Sequence, residues 1–108
     1  MKIVIQSPHF TPKQVLTDFV TEKVNKLSHF YDRIESAKVC LKLEKSDTTE
    51  NKICEIELAV PGNNLFAKRS SRTFEEATTE AIHAIQNQMD KLKSKSKIDE
   101  KEAAKQFF

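Results

Sequence analysis

The chain begins with a short run of β-branched residues, after which its apolar residues recur with the period of a helix. Ile3-Val4-Ile5 predicts a strand over residues 2–6. Thr11-Pro12-Lys13-Gln14 predicts a helix start, with Thr11 as the cap, Pro12 in the first helical position and Gln14 completing a capping box. Apolar residues at steps of three and four then predict an amphipathic helix to about residue 29; they are Val15, Leu16, Phe19, Val20, Val24, Leu27 and Phe30.

The middle of the chain alternates between apolar and polar residues. Residues 36–45 and 53–60 both show this period of two, which predicts two strands joined by a polar turn. Pro61-Gly62-Asn63-Asn64 predicts a second turn, because Pro presets one dihedral angle and Gly or Asn accepts a positive φ. Residues 65–69 then form a third consecutive strand.

A second amphipathic helix follows the strands. Thr73-Phe74-Glu75-Glu76 is a capping box at its start. We expect a domain over residues 1–97 and a charged tail over 98–108, which either extends the helix or frays. Phe107 and Phe108 in this tail can dock on a partner or on the domain itself. The predicted buried stripe of the helix consists of Phe74, Ala77, Ala81, Ile82, Ile85, Met89 and Leu92.

The element order β-α-β-β-β-α predicts the fold class. Three consecutive strands joined by short turns are antiparallel, and both helices then cover one face of a four-stranded sheet. We therefore predict an α+β, two-layer sandwich. The other face carries Lys38, Cys40, Lys42 and Glu44 beside Ile53, Glu55, Glu57 and Ala59, where opposite charges are neighbours.

Composition narrows the class of protein. The chain has 108 residues with 38% hydrophobic and 31% charged positions, which is typical of one globular domain. A single Gly excludes the glycine-rich loops that bind nucleotides. No apolar run is long enough to span a membrane, and the first residues do not resemble a signal peptide, so we expect a cytoplasmic protein.

The two cysteines are predicted to lie on opposite faces of the sheet. Cys54 is in phase with the apolar residues of its strand, whereas Cys40 alternates with those of the neighbouring strand. That register excludes a disulfide between them and favours reduced thiols.

The residues do not suggest catalysis. His9, His29 and His83 are scattered, and none is spaced from another as a metal ligand or a general base would be. We expect no enzyme activity, no metal, no cofactor and no small-molecule substrate. His83 is either a surface residue or an RNA contact, and Tyr31 and Phe30 could stack on a base, although Phe30 also continues the apolar stripe.

Positive charge is concentrated at the end of the second helix. The net charge is +2, yet residues 68–97 contain seven Lys or Arg against four Asp or Glu. The last of these basic residues are Lys91, Lys93, Lys95 and Lys97. Such a local excess attracts a polyanion. The alternative interpretation is a solvated helix end, where the positive Lys residues interact favourably with the negative C-terminal end of the helix dipole.

Several of these segments together resemble a known family. The segments are Phe10-Thr11-Pro12, Val20-Thr21-Glu22-Lys23-Val24-Asn25-Lys26-Leu27, Asp32-Arg33-Ile34, Thr73-Phe74-Glu75-Glu76-Ala77 and Gln88-Met89-Asp90-Lys91-Leu92. Through them the chain is similar, over residues 1 to about 97, to the ribosome hibernation-promoting factors, also called sigma-54 modulation or ribosomal subunit interface proteins.

The resemblance implies a non-catalytic translation inhibitor. Members bind the small ribosomal subunit when growth stops and occupy the channel of messenger and transfer RNA. Lys residues of the two helices would meet ribosomal RNA phosphates, and by position these are Lys23, Lys26, Lys91 and Lys95, with Lys93 and Lys97 in the same cluster. The family usually has Lys or Arg shortly before the position of Gln88, where this chain has Gln86 and Asn87.

The chain resembles the short forms of the family, which lack a second domain. Such a protein is expected to be a monomer off the ribosome. It would either act with a ribosome-dimerising partner or oppose ribosome pairing, and the sequence of the tail does not distinguish these two roles. The alternative function is an α+β protein-interaction module without RNA binding, whose exposed sheet recruits a partner.

Overall fold

Four strands form one mixed sheet in sequence order, β1-β2-β3-β4. The computed structural model describes the backbone of residues 1–44 and 49–106, and the side chains of residues 1–44 and 49–92. Its elements are β1 (Lys2–Gln6), α1 (Gln14–Asn25) with a 3-10 turn (Lys26–His29), β2 (Ser36–Leu43), β3 (Lys52–Val60), β4 (Asn63–Ser71) and α2 (Phe74–Gln106). The predicted element order and the α+β fold class are confirmed. Lys45 and the rest of the turn to Thr48 lie outside the described residues.

The core lies between the sheet and the two helices. β1 runs parallel to β2, and the other neighbouring pairs are antiparallel. The strands have one buried face because their apolar residues alternate. Among the fully buried large side chains are Val39, Leu41, Ile56 and Leu58 from the sheet and Val20, Val24, Leu27, Ile85 and Met89 from the helical layer.

The start of α1 differs from the prediction. The helix begins at Gln14, its N-cap residue is Lys13, and no side chain caps it. The N–H groups of Leu16 and Thr17 donate to the Lys13 carbonyl, and the Gln14 amide donates to Asp18 at 2.7 Å, so the capping box is wrong. A tertiary contact accounts for the later start: the ring of Phe10 stacks on Phe74 of α2 and anchors the segment before the helix.

Two members of the predicted apolar stripe of α1 are exposed. Val15 is 80% exposed, because at 3.6 residues per turn it lies about 140° around the helix from the buried Val20. Phe30 is 51% exposed, because the 3-10 turn ends at His29 and Phe30 lies beyond it. The buried face of α1 is therefore narrower than the stripe that steps of three and four residues predict, because neither Val15 nor Phe30 belongs to it.

The predicted capping box of α2 is half confirmed. The Glu76 N–H donates to the Thr73 hydroxyl at 3.1 Å, which caps the helix. The Glu76 carboxylate accepts from the Ser71 hydroxyl at 2.8 Å instead of returning to the cap residue. The backbone continues as helix to Gln106, whereas Phe107 and Phe108 lie outside the described residues. Phe74 and Leu92, at the two ends of the predicted stripe, are only partly buried.

Cys40 and Cys54 lie on opposite faces of the sheet, as predicted. Both are free thiols, and only Cys54 is fully buried. The hydroxyl of Thr78, a buried α2 residue outside the predicted stripe, contacts the Cys54 sulfur at 3.6 Å. Burial raises the pKa of the Cys54 thiol to about 11, so the thiol stays protonated at neutral pH.

The open face of the sheet carries paired charges. Lys38 lies opposite Glu57, and the Lys42 ammonium contacts the Glu55 carboxylate at 2.9 Å. The hydrogen bond with Glu55 and the attraction of its charge raise the pKa of Lys42. The predicted cross-strand pairing on this face is confirmed.

Candidate nucleic-acid interface

The two helices lie side by side and run in the same direction. Phe10, just before α1, stacks on Phe74, the first residue of α2, with ring centroids 4.8 Å apart. Further along, Lys23 and Lys26 of the first helical segment share a groove with His83 and Gln86 of α2. This arrangement places the Lys-bearing C-terminal end of α1 beside residues 79–86, in the first half of α2.

The interhelical groove is the candidate site. It has a volume of about 190 Å³, and apart from the two Lys residues its walls are polar or aromatic, with one aliphatic side chain, Ile82. It lies on the helical layer, opposite the open sheet face. The lining residues are Lys23, Lys26, Phe30, Thr79, Ile82, His83 and Gln86.

Lys23 is held in place by its own helix. Its side chain is half-buried, and the ammonium nitrogen lies 5.4 Å from the centroid of the Phe19 ring one turn earlier. An ammonium over a ring face is attracted by the ring quadrupole and keeps its charge. The contact therefore restricts the lysine while leaving its charge available to an anion.

Lys26 is exposed and more loosely held. Its ammonium lies 3.7 Å from the Glu22 carboxylate one turn earlier, and the two side chains are 55% and 69% exposed. Exposed pairs of this kind contribute about 0–1 kcal/mol and are screened by salt. An approaching phosphate can therefore replace Glu22 as the partner of Lys26 at small cost.

The predicted Lys cluster of α2 lies beyond the groove. Lys91 is exposed on α2 and does not line the groove. The side chains of Lys93, Lys95 and Lys97 lie outside the described residues, although their backbone is part of α2. Among the described side chains, the structure thus brings Lys23 and Lys26 into one groove and leaves Lys91 outside it.

Sequence reasoning missed most of the other groove residues. No local pattern marks Thr79, Ile82 or Gln86 as a contact, and Gln86 stands where the resembling family usually has Lys or Arg. The Gln86 amide lies in the same groove as Lys23 and Lys26, so this position of the groove offers a hydrogen-bonding group that carries no charge. The exposed His83, for which the sequence allows either a surface position or an RNA contact, lines the groove as well.

The arrangement suits an anionic polymer better than it suits catalysis. Two ammonium groups beside an amide and an imidazole can bind phosphate oxygens and donate hydrogen bonds. Among the described side chains, no group of three or more His, Cys, Asp or Glu could hold a metal ion. Within the described part of the chain, no helix is both long and apolar enough to cross a membrane.

Comparison with known proteins identifies related chains. The family model described as "Sigma 54 modulation protein / S30EA ribosomal protein" matches residues 3–97. A ribosome hibernation promoting factor of Klebsiella oxytoca is 33% identical over 82 residues, which cover 76% of this chain and 82% of that protein. A protein of the same name from Pseudomonas putida is 29% identical over 97 residues, covering 90% and 87% of the two chains.

Two solved structures share the fold. A ribosomal subunit interface protein from Coxiella burnetii superposes with a TM-score of 0.78 at 18% identity, covering 87% of this chain and 99% of the other. The N-terminal domain of Thermus thermophilus Protein Y gives a TM-score of 0.73 at 20% identity, covering 85% and 99%. At these identities the similarity concerns the fold alone.

Proposed function

The chain belongs to the sigma 54 modulation protein / S30EA ribosomal protein family, and on that premise we propose that it is a ribosome hibernation factor. In this proposal it binds the small ribosomal subunit in the channel of messenger and transfer RNA and inhibits translation in stationary phase or under stress. It acts in the cytoplasm as a non-catalytic protein. Its partners are the small subunit and ribosomal RNA.

The observation that carries the proposal is the pair of Lys residues in the interhelical groove. Lys23 and Lys26 lie in one groove, and among the described residues neither forms an ion pair with a buried carboxylate. Phosphate contacts of Lys fix position and supply affinity without reading sequence. A protein that occupies a channel lined by RNA needs contacts of that kind. Lys91, Lys93, Lys95 and Lys97 extend the positive charge along α2.

The direct experiment is co-sedimentation with purified small subunits and whole ribosomes over a series of salt concentrations. Binding should weaken with salt, with a log–log slope of about 0.7–0.9 for each phosphate neutralised. A slope near zero, or no binding at low salt, would contradict RNA binding. Those outcomes would instead favour the alternative, an interaction module that uses the open face of the sheet.

Channel occupancy needs a separate test. Added protein should inhibit a cell-free translation system and reduce the binding of initiator transfer RNA to small subunits. Equal binding of initiator transfer RNA in the presence of ribosome-bound protein would show that the contact lies elsewhere on the subunit. The sedimentation result would then stand, and only the proposed mechanism would be wrong.

A further inference from the structure

β4 is an edge strand whose outer side faces α2. It is the last strand in the sheet order and pairs with β3 on one side only. The Phe66 N–H and carbonyl both bond to a side chain of α2, so they point away from β3. Because backbone direction alternates along an antiparallel strand, Asn64, Lys68 and Ser70 also direct their backbone groups outward.

Two side chains occupy part of this outward row. The Gln88 amide behaves like a short piece of strand: its Oε1 accepts from the Phe66 N–H at 3.3 Å, and its Nε2 donates to the Phe66 carbonyl at 2.7 Å. The Arg69 guanidinium donates to the Lys68 carbonyl at 2.8 Å. Three of the four outward backbone groups of Phe66 and Lys68 are therefore bonded to side chains of the same chain.

We propose that Gln88 and Arg69 close the β4 edge against strand addition by a second copy of this chain. An unpaired edge is a template for another strand, and proteins block such edges with side chains, charges or covering elements. The two bonds that Gln88 makes to Phe66 are the two that an antiparallel strand would make at a hydrogen-bonded pair.

The register explains why a second copy is the partner that must be excluded. An antiparallel β4–β4 pair centred on Phe66 places the two Phe66 rings, each 51% exposed, beside one another. The same register sets Lys68 opposite Asn64, so like charges are not directly opposed. Without the two caps, the β4 strands of two copies could thus pair with one another.

The test removes both caps and measures oligomeric state. Gln88→Ala with Arg69→Ala should form dimers over a dilution series in light scattering coupled to size exclusion, while the unmodified protein stays monomeric. Hydrogen exchange of the Phe66 amide in dilute, monomeric double variant should accelerate by about fivefold, the effect of one lost net hydrogen bond. Asn87→Ala with Arg72→Ala is the matched control, since both residues are exposed and neither bonds to β4 among the described residues.

A proline verifies where the copies pair. Lys68→Pro in the double-variant background removes an outward N–H and should restore the monomer. If truncation unfolds the chain, Gln88→Met with Arg69→Met keeps most of the side-chain length, donates no hydrogen bond to the β4 edge and is measured in the same way. A folded variant that stays monomeric at every concentration overturns the proposal, as does a dimer that persists with Lys68→Pro or one that the control forms equally.

Discussion

Removing the two groove lysines should separate RNA contact from fold. In Lys23→Gln with Lys26→Gln, two positive charges leave the interhelical groove while the length of the side chains is nearly kept. If each lysine neutralises one phosphate, the log–log salt slope of ribosome binding should fall by about 1.4–1.8. At 0.1 M salt, counterion release of that size corresponds to about 25- to 60-fold in affinity.

The cost to stability is much smaller. The variant loses one contact between an ammonium and an aromatic ring and one exposed ion pair. Each contributes about 0.2–1 kcal/mol, so the chain should remain folded. The affinity loss and the stability loss are therefore distinguishable in one sample.

The assay is sedimentation with small subunits at several salt concentrations, with thermal unfolding of the same preparation. Lys2→Gln with Lys38→Gln is the control, because it removes the same charge from exposed strand positions outside the groove. If the groove variant keeps the wild-type slope, or if the control lowers the slope equally, the groove is not the phosphate-binding surface and only overall charge matters.

Three further predictions concern other parts of the molecule. Lys91→Glu with Lys95→Glu should weaken ribosome binding severely and change stability by less than about 0.5 kcal/mol; unchanged sedimentation of the folded variant would mean that this cluster is only a solvated helix end. Between pH 9 and 11 the Cys54 thiol ionises in the unfolded chain but stays protonated in the fold, so rising pH should remove about 2–3 kcal/mol of stability. In urea unfolding under reductant, Cys54→Ala should lack that loss, and a constant difference from wild type across this window would refute the assignment. Val15→Thr should leave the urea midpoint almost unchanged, whereas Val24→Thr should cost about 1–3 kcal/mol by burying a hydroxyl; equal effects would contradict the assignment of the buried face of α1.

The sheet could be predicted from sequence because the alternation of apolar and polar residues allows only one orientation of its strands. Alternation in β2 and β3 fixes which side of each strand is buried, and a shift of one residue would expose the whole apolar set. This is why the opposite orientation of Cys40 and Cys54 followed from their positions alone. The cap at Thr73 was predictable for a similar reason, since its hydrogen bond joins residues three apart.

Features that depend on contacts between distant residues could not be predicted in this way. The late start of α1 accompanies the stacking of Phe10 on Phe74, which lie 64 positions apart. The groove requires the relative placement of two helices, so its Thr79 and Gln86 had no local signal. Gln88 had a signal only as part of the family resemblance, and its bonds to Phe66 became visible only in the folded chain.

The sheet order also has a consequence for the synthesis of this chain. β1 and α1 leave the exit tunnel first, yet the strand that pairs with β1 begins at Ser36 and the helix that packs beside α1 begins at Phe74. β2, β3 and β4, by contrast, are joined by short connections and can pair as they emerge. We expect β1, whose partner residues in β2 lie 34 positions away, to pair after β2, β3 and β4 have paired with one another, and α1 to lack its helical neighbour until α2 has emerged. Pulse-labelled hydrogen exchange during refolding should then protect β2–β4 amides before those of β1. A new copy would accordingly gain its completed interhelical groove only after the residues of α2 that line it have left the tunnel.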